Sequence, residues 1–465
     1  MPALPRLAVG AMRGGLGKTT FSLGIIAAWR KQGRRVAVFK KGPDFIDAGW
    51  LGLAAKRPCY NLDLFMMDPG RVVRSFNEHT AGVDGAVIEG NRGLFDGVDE
   101  SGSYSTARLA RMLDSPVMLI VDCTKSTGTV AAVVLGCRQY DPAVRLGGVL
   151  LNNIASQRHE MVIRKAIAQS SGIPVLGAVP RQKGDAFPER HMGLTPFHEH
   201  PEAEQAIEAC ARLAGQYLDL DAIWNAAASA PDILDREPGG ETPKSGDSGE
   251  RVTIGVIRDT AFQFYYPDNL EALEQSGAVI RELNALRDPG LPENLDALYI
   301  GGGFPETQAA ELAANAGFCH SIRKAVERGL PVYAECGGLI YLGRSLTVGN
   351  QRFSMTGALP LDFVLEKKPQ AHGYTVLEAG DAGVFIDKDV VVRGHEFHYS
   401  RVDPIEGPYR LAYKVRRGVG IDGRGDGFIL NNVVAAYTHI HALATPEWAP
   451  SVVQKARAYR GRKTD

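Results

Sequence analysis

Two stretches of the chain, far apart, carry residues whose types and spacing can do chemistry. The first is Arg13-Gly14-Gly15-Leu16-Gly17-Lys18-Thr19-Thr20, set between the apolar run Leu7-Ala8-Val9 and a helical pattern from Phe21 to Trp29. Glycines let a backbone curl until successive N–H groups face an anion, and a lysine and a hydroxyl at a helix start complete a phosphate cradle. On this reading Arg13, Gly14, Gly15, Gly17, Lys18, Thr19 and Thr20 hold a nucleotide, with Lys18 at its β- and γ-phosphates and Thr19 on Mg2+. The pattern G-x-x-x-x-G-K-[ST] is broken at one place, where Met12 stands for the first glycine.

The second stretch is Glu335-Cys336-Gly337-Gly338-Leu339, which follows the strand-like run Pro331-Val332-Tyr333-Ala334. A cysteine between a strand and a Gly-Gly turn suits a nucleophile elbow, with the amide of Gly337 turned toward an incoming oxyanion. The thiolate is the reactive species and an unperturbed thiol titrates near ~8.5, so a base is required. Ala435 to His441 reads as an apolar strand ending in a His-x-His pair, and alternation puts His439 and His441 on one face, either of them placed to serve. A metal role for the pair lacks a third ligand nearby. The other cysteines, Cys59, Cys123, Cys137, Cys210 and Cys319, read as small buried hydrophobes.

The elements that must position these groups are legible as runs. Val36–Phe39, Gly85–Ile88, Val117–Val121 and Leu146–Leu151 are short and β-branched, and helical patterns such as 105–113 and 159–170 separate them. This is the rhythm of a parallel α/β sheet, whose ligands collect at the carboxyl ends of the strands. The loops expected there carry Lys40-Lys41-Gly42-Pro43-Asp44-Phe45-Ile46-Asp47 and Glu89-Gly90-Asn91-Arg92-Gly93-Leu94-Phe95-Asp96. Glu89, with Asp44, suits Mg2+, a hard cation that takes carboxylate, hydroxyl and phosphate oxygens together. A helical stretch, 201–230, and a polar, glycine-rich linker, 237–250, precede a second α/β unit that restarts at Val252. There a strand, 297–300, runs into Gly301-Gly302-Gly303-Phe304-Pro305-Glu306.

The totals narrow the class. At 465 residues two domains are expected, and 52 Lys+Arg against 53 Asp+Glu leave no bulk charge to attract nucleic acid or an anionic membrane. No apolar run approaches the ~18 residues of a spanning helix. The chain enters its first strand without a charged and apolar leader, and its six cysteines lack a C-x-x-C pair, so a reducing cytoplasm is expected and neither a disulfide framework nor a zinc site.

The motifs together resemble the glutamine-dependent a,c-diamide synthases of tetrapyrrole biosynthesis, the cobyrinic and hydrogenobyrinic acid a,c-diamide synthase family. The stretches that carry the resemblance are K-x-G-P-D-F-I-D (40–47), N-L-D (61–63), E-G-x-x-G-L-F-D-G (89–97), N-N-I-x-S-x-R-H (152–159), R-H-M-G-L (190–194), G-G-G-F-P-E, A-E-C-G-G-L-x-Y-L and G-H-E-F-H-Y-S. The resemblance implies a P-loop parallel-sheet synthetase domain similar to dethiobiotin synthetase, followed by a class I glutamine amidotransferase-like α/β domain. Boundaries on this basis are 1–195, a helical segment and linker 196–250, 251–446, and a tail 447–465. It also implies ATP and Mg2+ as cofactors, and L-glutamine and a polycarboxylate tetrapyrrole as partners, with homodimerisation left open. Cys336 would attack glutamine, His439 rather than His441 would move the proton, and amides at Gly302, Gly303 and Gly337 would hold the oxyanion. The usual H-x-E of glutamine amidotransferases is absent, since His441 stands in the glutamate's place, so a dyad is expected. Asp44, Phe45, Ile46, Glu89 and Asp96 would lie beside the nucleotide and the reacting carboxylates. Lys41 and Arg92 replace apolar residues of the family pattern and add cations near the macrocycle.

Three other readings stand beside this one. The same chemistry could act on sirohydrochlorin or sirohaem. The Arg-Gly-Gly start of the loop resembles the deviant P-loop ATPases, which would make the chain a partner-regulated switch, but a nucleophile elbow has no use there. A degenerate cysteine domain would leave free ammonia as the nitrogen source.

Overall fold

The apolar runs do form strands in the structure, a computed structural model that describes residues 3–182, 189–190, 193–233, 250–381 and 384–464. The chain divides into two compact units, Met1–Leu64 with Asp68–Gly240, and Phe65–Met67 with Glu241–Asp465. Of the segment 237–250 read as a linker only Glu250 is among the described residues, and His191 and Met192 lie outside them.

In the first unit β1 (Arg6–Ala11), β2 (Val36–Lys41), β3 (Cys59–Leu62), β4 (Gly85–Glu89), β5 (Val117–Asp122), β6 (Leu146–Ile154) and β7 (Val175–Pro180) make a sheet of order β3-β2-β4-β1-β5-β6-β7. Every neighbouring pair is parallel. The crossovers run through α1 (Lys18–Lys31), α2 (Ile46–Ala55), α3 (Pro69–His79), α4 (Thr106–Met112), α5 (Gly128–Tyr140) and α6 (Gln157–Ser170). A two-residue ribbon, β8 (Glu189–Arg190) with β9 (Gly193–Leu194), comes before α7 (Ala203–Tyr217) and α8 (Leu220–Ala228).

Lys40 and Lys41, read from sequence as loop residues, are the last two residues of β2, only 1% and 7% exposed. A buried ammonium needs a paired charge, and β4 supplies it to Lys40 through Glu89, the register partner of Lys40 in the sheet. The helices after the ribbon pack into the first unit's core. A Cβ at Gly24 of α1 would stand 2.7 Å from the carbonyl oxygen of Cys210 and 2.9 Å from Ala214 Cβ on α7, so this crossing is set by the missing side chain. Arg6, 1% exposed, ties β1 to the chain beyond α8, donating through Nε to Leu113 O at 2.6 Å and through Nη2 to Pro231 O at 2.5 Å. Burial brings its pKa down to about 10.

The second unit holds β10 (Val252–Ile257), β11 (Phe262–Phe264), β12 (Ala278–Leu283), β13 (Ala297–Ile300), β14 (Gly302–Gly303), β15 (Val332–Glu335), β16 (Ser345–Val348), β17 (Gln351–Ser354), β18 (Asp362–Leu365), β19 (Ala371–Ala379), β20 (Val391–His398), β21 (Ser400–Val402), β22 (Arg410–Arg417), β23 (Gly425–Leu430), β24 (Val433–Ala436) and β25 (His439–Ile440). Its helices are α9 (Pro267–Gln275), α10 (Ala309–Ala314), α11 (Ala316–Glu327), α12 (Gly337–Leu342) and α13 (Trp448–Thr464). The large sheet has the order β12-β10-β13-β15-β24-β23-β22-β19-β20-β25, parallel as far as β24 and antiparallel beyond it.

The single strand read over 435–441 is two strands. Between them the buried Asp426 carboxylate accepts N–H bonds from Tyr437 and Thr438, both at 2.9 Å, and takes those amides out of any ladder. β25 therefore leaves the parallel core and pairs with β20, His439 opposite His395.

Candidate functional site

The first site gathers where β1, β2 and β4 end. Gly15 and Gly17 have φ of 70° and 87°, conformations that favour glycine. The second of these brings the loop against Asn152 of β6, whose Nδ2 donates to Leu16 O at 3.2 Å. Lys18 opens α1, is 8% exposed, and donates to the carbonyls of Arg13 (3.2 Å) and Arg92 (2.9 Å). Burial lowers its pKa, and the charge of Lys40 lowers it further. Thr19 Oγ1 donates to Glu89 Oε1 at 3.1 Å. Gly14 and Arg13 are exposed, Arg13 Nη1 donating to the next residue's carbonyl at 3.1 Å, while Thr20 is half-buried in the first turn of α1.

A buried ion network lies beside the loop. Lys40 Nζ is 2.6 Å from Glu89 Oε1 and 2.5 Å from Asp47 Oδ2. Burial alone would lower the lysine's pKa, but the two carboxylates overturn this and raise it. Glu89 is pushed up by burial, against the pull of Lys40, and its Oε2 has no hydrogen-bond partner among the described residues. Asp44 Oδ1 accepts the Asp47 N–H at 2.8 Å and so shapes the entry to α2, where Phe45 and Ile46 sit half-buried. Burial, with the charge of Asp47 next, brings the Asp44 carboxyl up to about 7. Asn61 fastens this turn, donating to Gly42 O at 2.8 Å and Asp44 O at 2.9 Å. Lys41 lies at the same strand end, its pKa lowered by burial. Asp96 is exposed and accepts the Gly93 N–H at 2.8 Å.

Sequence reasoning assigned no part to Lys40, Asp47 or Asn152, although all three stand inside quoted motifs. The signal available was that a carboxylate and a lysine at the ends of neighbouring strands must neutralise each other if both are buried. The residues suit Mg2+. Mg2+ takes one or two carboxylates plus phosphate oxygens rather than a full protein cage, and Thr19 Oγ1 with the unpartnered Glu89 Oε2 is such a set. Among the described residues no group of three His, Cys, Asp or Glu forms a closed metal centre.

The second site is built on the turn from β15 into α12. Cys336 has φ 46° and ψ −97°, a strained conformation for a side-chain-bearing residue, fixed by its N–H bond to Ala436 O at 2.7 Å. Gly338 allows the turn, since a Cβ there would stand 2.4 Å from Ile300 O. The thiol is 6% exposed and pushed well above its ordinary range by burial and then by the charge of Glu306, against the Gly337 amide. Gly303 lies over the same turn, its nitrogen 3.0 Å from where a Gly337 Cβ would be. The β11–β14 ribbon holds Gly302 and Gly303 in place, and Asp259 holds the ribbon by accepting N–H bonds from Ala261 (2.9 Å), Phe262 (3.1 Å) and Ala285 (2.7 Å).

The two histidines separate by their partners. His439 presents Nδ1 to Glu335 Oε2 at 3.3 Å and sets its Cε1–Nε2 edge against Gly302, where a Cβ would stand 2.3 Å from Cε1 and 3.1 Å from Nε2. His441 is fully buried, its Nδ1 accepting the Leu443 N–H at 3.2 Å and its Nε2 3.3 Å from Asp268 Oδ2 at the start of α9. His439 thus belongs to the cysteine turn and His441 to the joint with α9. His395 lies over the His439 ring, centroids 4.9 Å apart, with a pKa held well below the usual range by burial and then by the charge of His439. Beside the expected pair, Cys336 and His439, the geometry sets the carboxylate of Glu335. Gly302→Ala should displace the His439 ring and reduce glutaminase turnover about 10²-fold, the scale of a misplacement near 1 Å. Glutamate release in a coupled assay checks it, with ammonium-driven product formation expected at the parent rate.

Comparison with known proteins gives each half of the chain a family. Residues 7–194 match the CobQ/CobB/MinD/ParA nucleotide binding domain family, and residues 253–447 match the CobB/CobQ-like glutamine amidotransferase domain family. Over its whole length the chain is similar to the cobyrinate a,c-diamide synthase of Magnetococcus marinus, 42% identical over 461 residues that cover 99% of this chain and 98% of the relative. Relatives of the same name from Archaeoglobus fulgidus (38% identical, 97% of this chain and 98% of the relative) and Dehalococcoides mccartyi (38%, 98% and 99%) match as fully. With a nucleotide-binding unit and a glutamine amidotransferase unit in one chain, and this similarity from end to end, the protein belongs to the cobyrinate a,c-diamide synthase family.

Proposed function

We propose that the chain is an ATP- and glutamine-dependent amidoligase that converts the a and c carboxylates of cobyrinate or hydrogenobyrinate to amides, in the cytoplasm. The observation that carries the chemistry is the Cys336 turn, a buried cysteine at φ 46° with His439 and the Gly302–Gly303 ribbon around it, in the same chain as a phosphate loop. The names of the relatives supply the substrate.

In the second unit Cys336 Sγ forms a bond to the side-chain amide carbon of glutamine as its proton passes to His439. Amides of Gly303 and Gly337 stabilise the oxyanion, and collapse of that species returns the proton to the leaving nitrogen and releases ammonia. Water then cleaves the thioester to glutamate and the free thiol. In the first unit a substrate carboxylate attacks the γ-phosphorus of ATP to give an acyl phosphate and ADP, and Lys18 stabilises the charge that develops on the transferring phosphoryl group. Ammonia attacks the acyl carbon, and phosphate leaves with the proton that the nitrogen gives up. Repetition at the second carboxylate gives the diamide. Mg2+, held by Thr19 and Glu89 with Asp44 beside them, would supply electrostatic stabilisation of the phosphates. Arg13, Gly14, Gly15, Gly17 and Thr20 line the nucleotide, while Lys41, Phe45, Ile46 and Asp96 face the macrocycle.

Mass spectrometry of products tests the substrate. Protein, ATP, Mg2+ and glutamine are incubated separately with cobyrinate, hydrogenobyrinate, sirohydrochlorin and sirohaem. The expected result is two successive losses of about one mass unit from cobyrinate or hydrogenobyrinate, one for each carboxylate converted. Amidation confined to sirohydrochlorin or sirohaem would overturn the substrate assignment and leave the chemistry standing.

A further inference from the structure

We propose that Glu335, the residue immediately before the nucleophile, is the positioning carboxylate of His439 and takes the place of the glutamate missing from the His-x-Glu pattern. The proposal rests on the Cys336–His439 reading above and adds a third member to it.

Glu335 is the last residue of β15 and is 1% exposed. Three donors converge on its carboxylate. His439 Nδ1 lies 3.3 Å from Oε2, the Tyr299 hydroxyl donates to the same oxygen at 3.3 Å, and the Ile440 N–H donates to Oε1 at 3.2 Å. The support continues outward. Asn269 donates from Nδ2 to the Tyr299 hydroxyl at 3.3 Å and to Ile440 O at 3.0 Å, and accepts the Ala442 N–H at 2.7 Å. One asparagine on α9 thereby fixes both the phenol that holds the carboxylate and the strand that carries the histidine.

Two consequences follow for the imidazole. A carboxylate facing Nδ1 keeps the proton on that nitrogen, so Nε2, on the edge set against Gly302, is left as the acceptor. The negative charge also stabilises the imidazolium that forms when Cys336 gives up its proton. The position also resolves a geometric problem. β25 leaves the parallel core after the Asp426 clamp, so the residue two after His439 is carried to Asp268 and cannot orient the base. Glu335, delivered by the strand that also delivers the nucleophile, keeps orienter and nucleophile rigidly coupled.

The titratable and charged groups around His439 are Glu335 and Cys336 from the β15 turn, His395 from β20, Tyr299 from β13, and Tyr266, Asp268 and His441 around the start of α9. Of these, Glu335 places a carboxylate oxygen 3.3 Å from Nδ1 of His439.

The test uses the full chain with Glu335→Gln, Glu335→Asp, Tyr299→Phe and Cys336→Ala, measured for glutaminase kcat and KM across pH and for ammonium-driven amidation. Glu335→Gln should lower glutaminase kcat by up to ~10⁴-fold with little change in KM, as loss of the orienting carboxylate does in hydrolytic triads. It should also move the acid limb of kcat/KM to lower pH by about one unit, because removing the adjacent negative charge makes the imidazole harder to protonate. Glu335→Asp should recover part of the rate. Tyr299→Phe, which removes one donor and leaves the carboxylate more basic, should shift the same limb to higher pH and covers the case in which Glu335→Gln does not fold. An unmoved acid limb in every variant that folds would overturn the proposal, and so would a Glu335→Gln kcat close to the parent value. Full glutaminase in Cys336→Ala would instead sink the reading on which the proposal rests, so the two failures are told apart.

Discussion

Lys18→Ala is expected to lose amidation with either nitrogen donor, glutamine or ammonium, by ~10³-fold or more, while hydrolysis of glutamine continues. One preorganised donor aimed at developing charge is worth about 10²–10³ in rate, and Lys18 contributes a full charge from a nearly enclosed position at the head of α1. Its ammonium is held by the carbonyls of Arg13 and Arg92, one from each of the two loops that border the site. Alanine deletes the cation and that tie together. The measurement is product mass with glutamine and with ammonium as donors, alongside glutamate release. Retained ammonium-driven amidation would remove Lys18 from the phosphoryl step.

The complementary result is expected of Cys336→Ala. Glutamine-driven amidation and glutaminase should fall by ~10⁴–10⁶-fold, the scale of losing a nucleophile outright, and ammonium-driven amidation should persist. Alanine keeps the Cβ, and with it the backbone strain at φ 46°, and removes only the sulfur, so the fold is expected to persist. If both variants abolish both activities, the division of labour between the two units is wrong.

Much of this arrangement was legible in the sequence, and the reasons are local ones. β1, β4, β5 and β6 announce themselves because strands covered on both faces must be apolar along their whole length. The phosphate loop and the Cys336 turn were legible because glycine at fixed offsets has few other uses there. β3, reading Cys-Tyr-Asn-Leu, was not, because an edge strand four residues long carries no run, and Asn61 inside it serves the 42–44 turn instead. The end of β2 was hidden by its own chemistry, since two lysines read as the start of a loop until Glu89 and Asp47 are known to surround one of them. The role of Glu335 was invisible for a non-local reason. It depends on β25 pairing with β20 rather than continuing β24, and that is decided by Asp426, a residue distant from both in any motif. His439 and His441, equivalent by alternation, are told apart only by the carboxylates they meet.

The crossing of α1 and α7 bears on where this chain can be cut. The motifs of the nucleotide site are complete by Leu194, which is also where the family match ends. The helix that begins with Lys18 nonetheless rests its Gly24 on the backbone of Cys210, and its Trp29 ring meets Trp224 edge-on at 4.9 Å. A fragment ending at Leu194 would keep every phosphate-binding residue and lose the surface that keeps the lysine-bearing helix dry. Severability and catalytic completeness part company here: the segment that holds no motif residue behaves as the fastening of the one that does, and Gly24→Ala, which forces the two helices apart at a cost of about 1–3 kcal/mol, is the smallest change that loosens it.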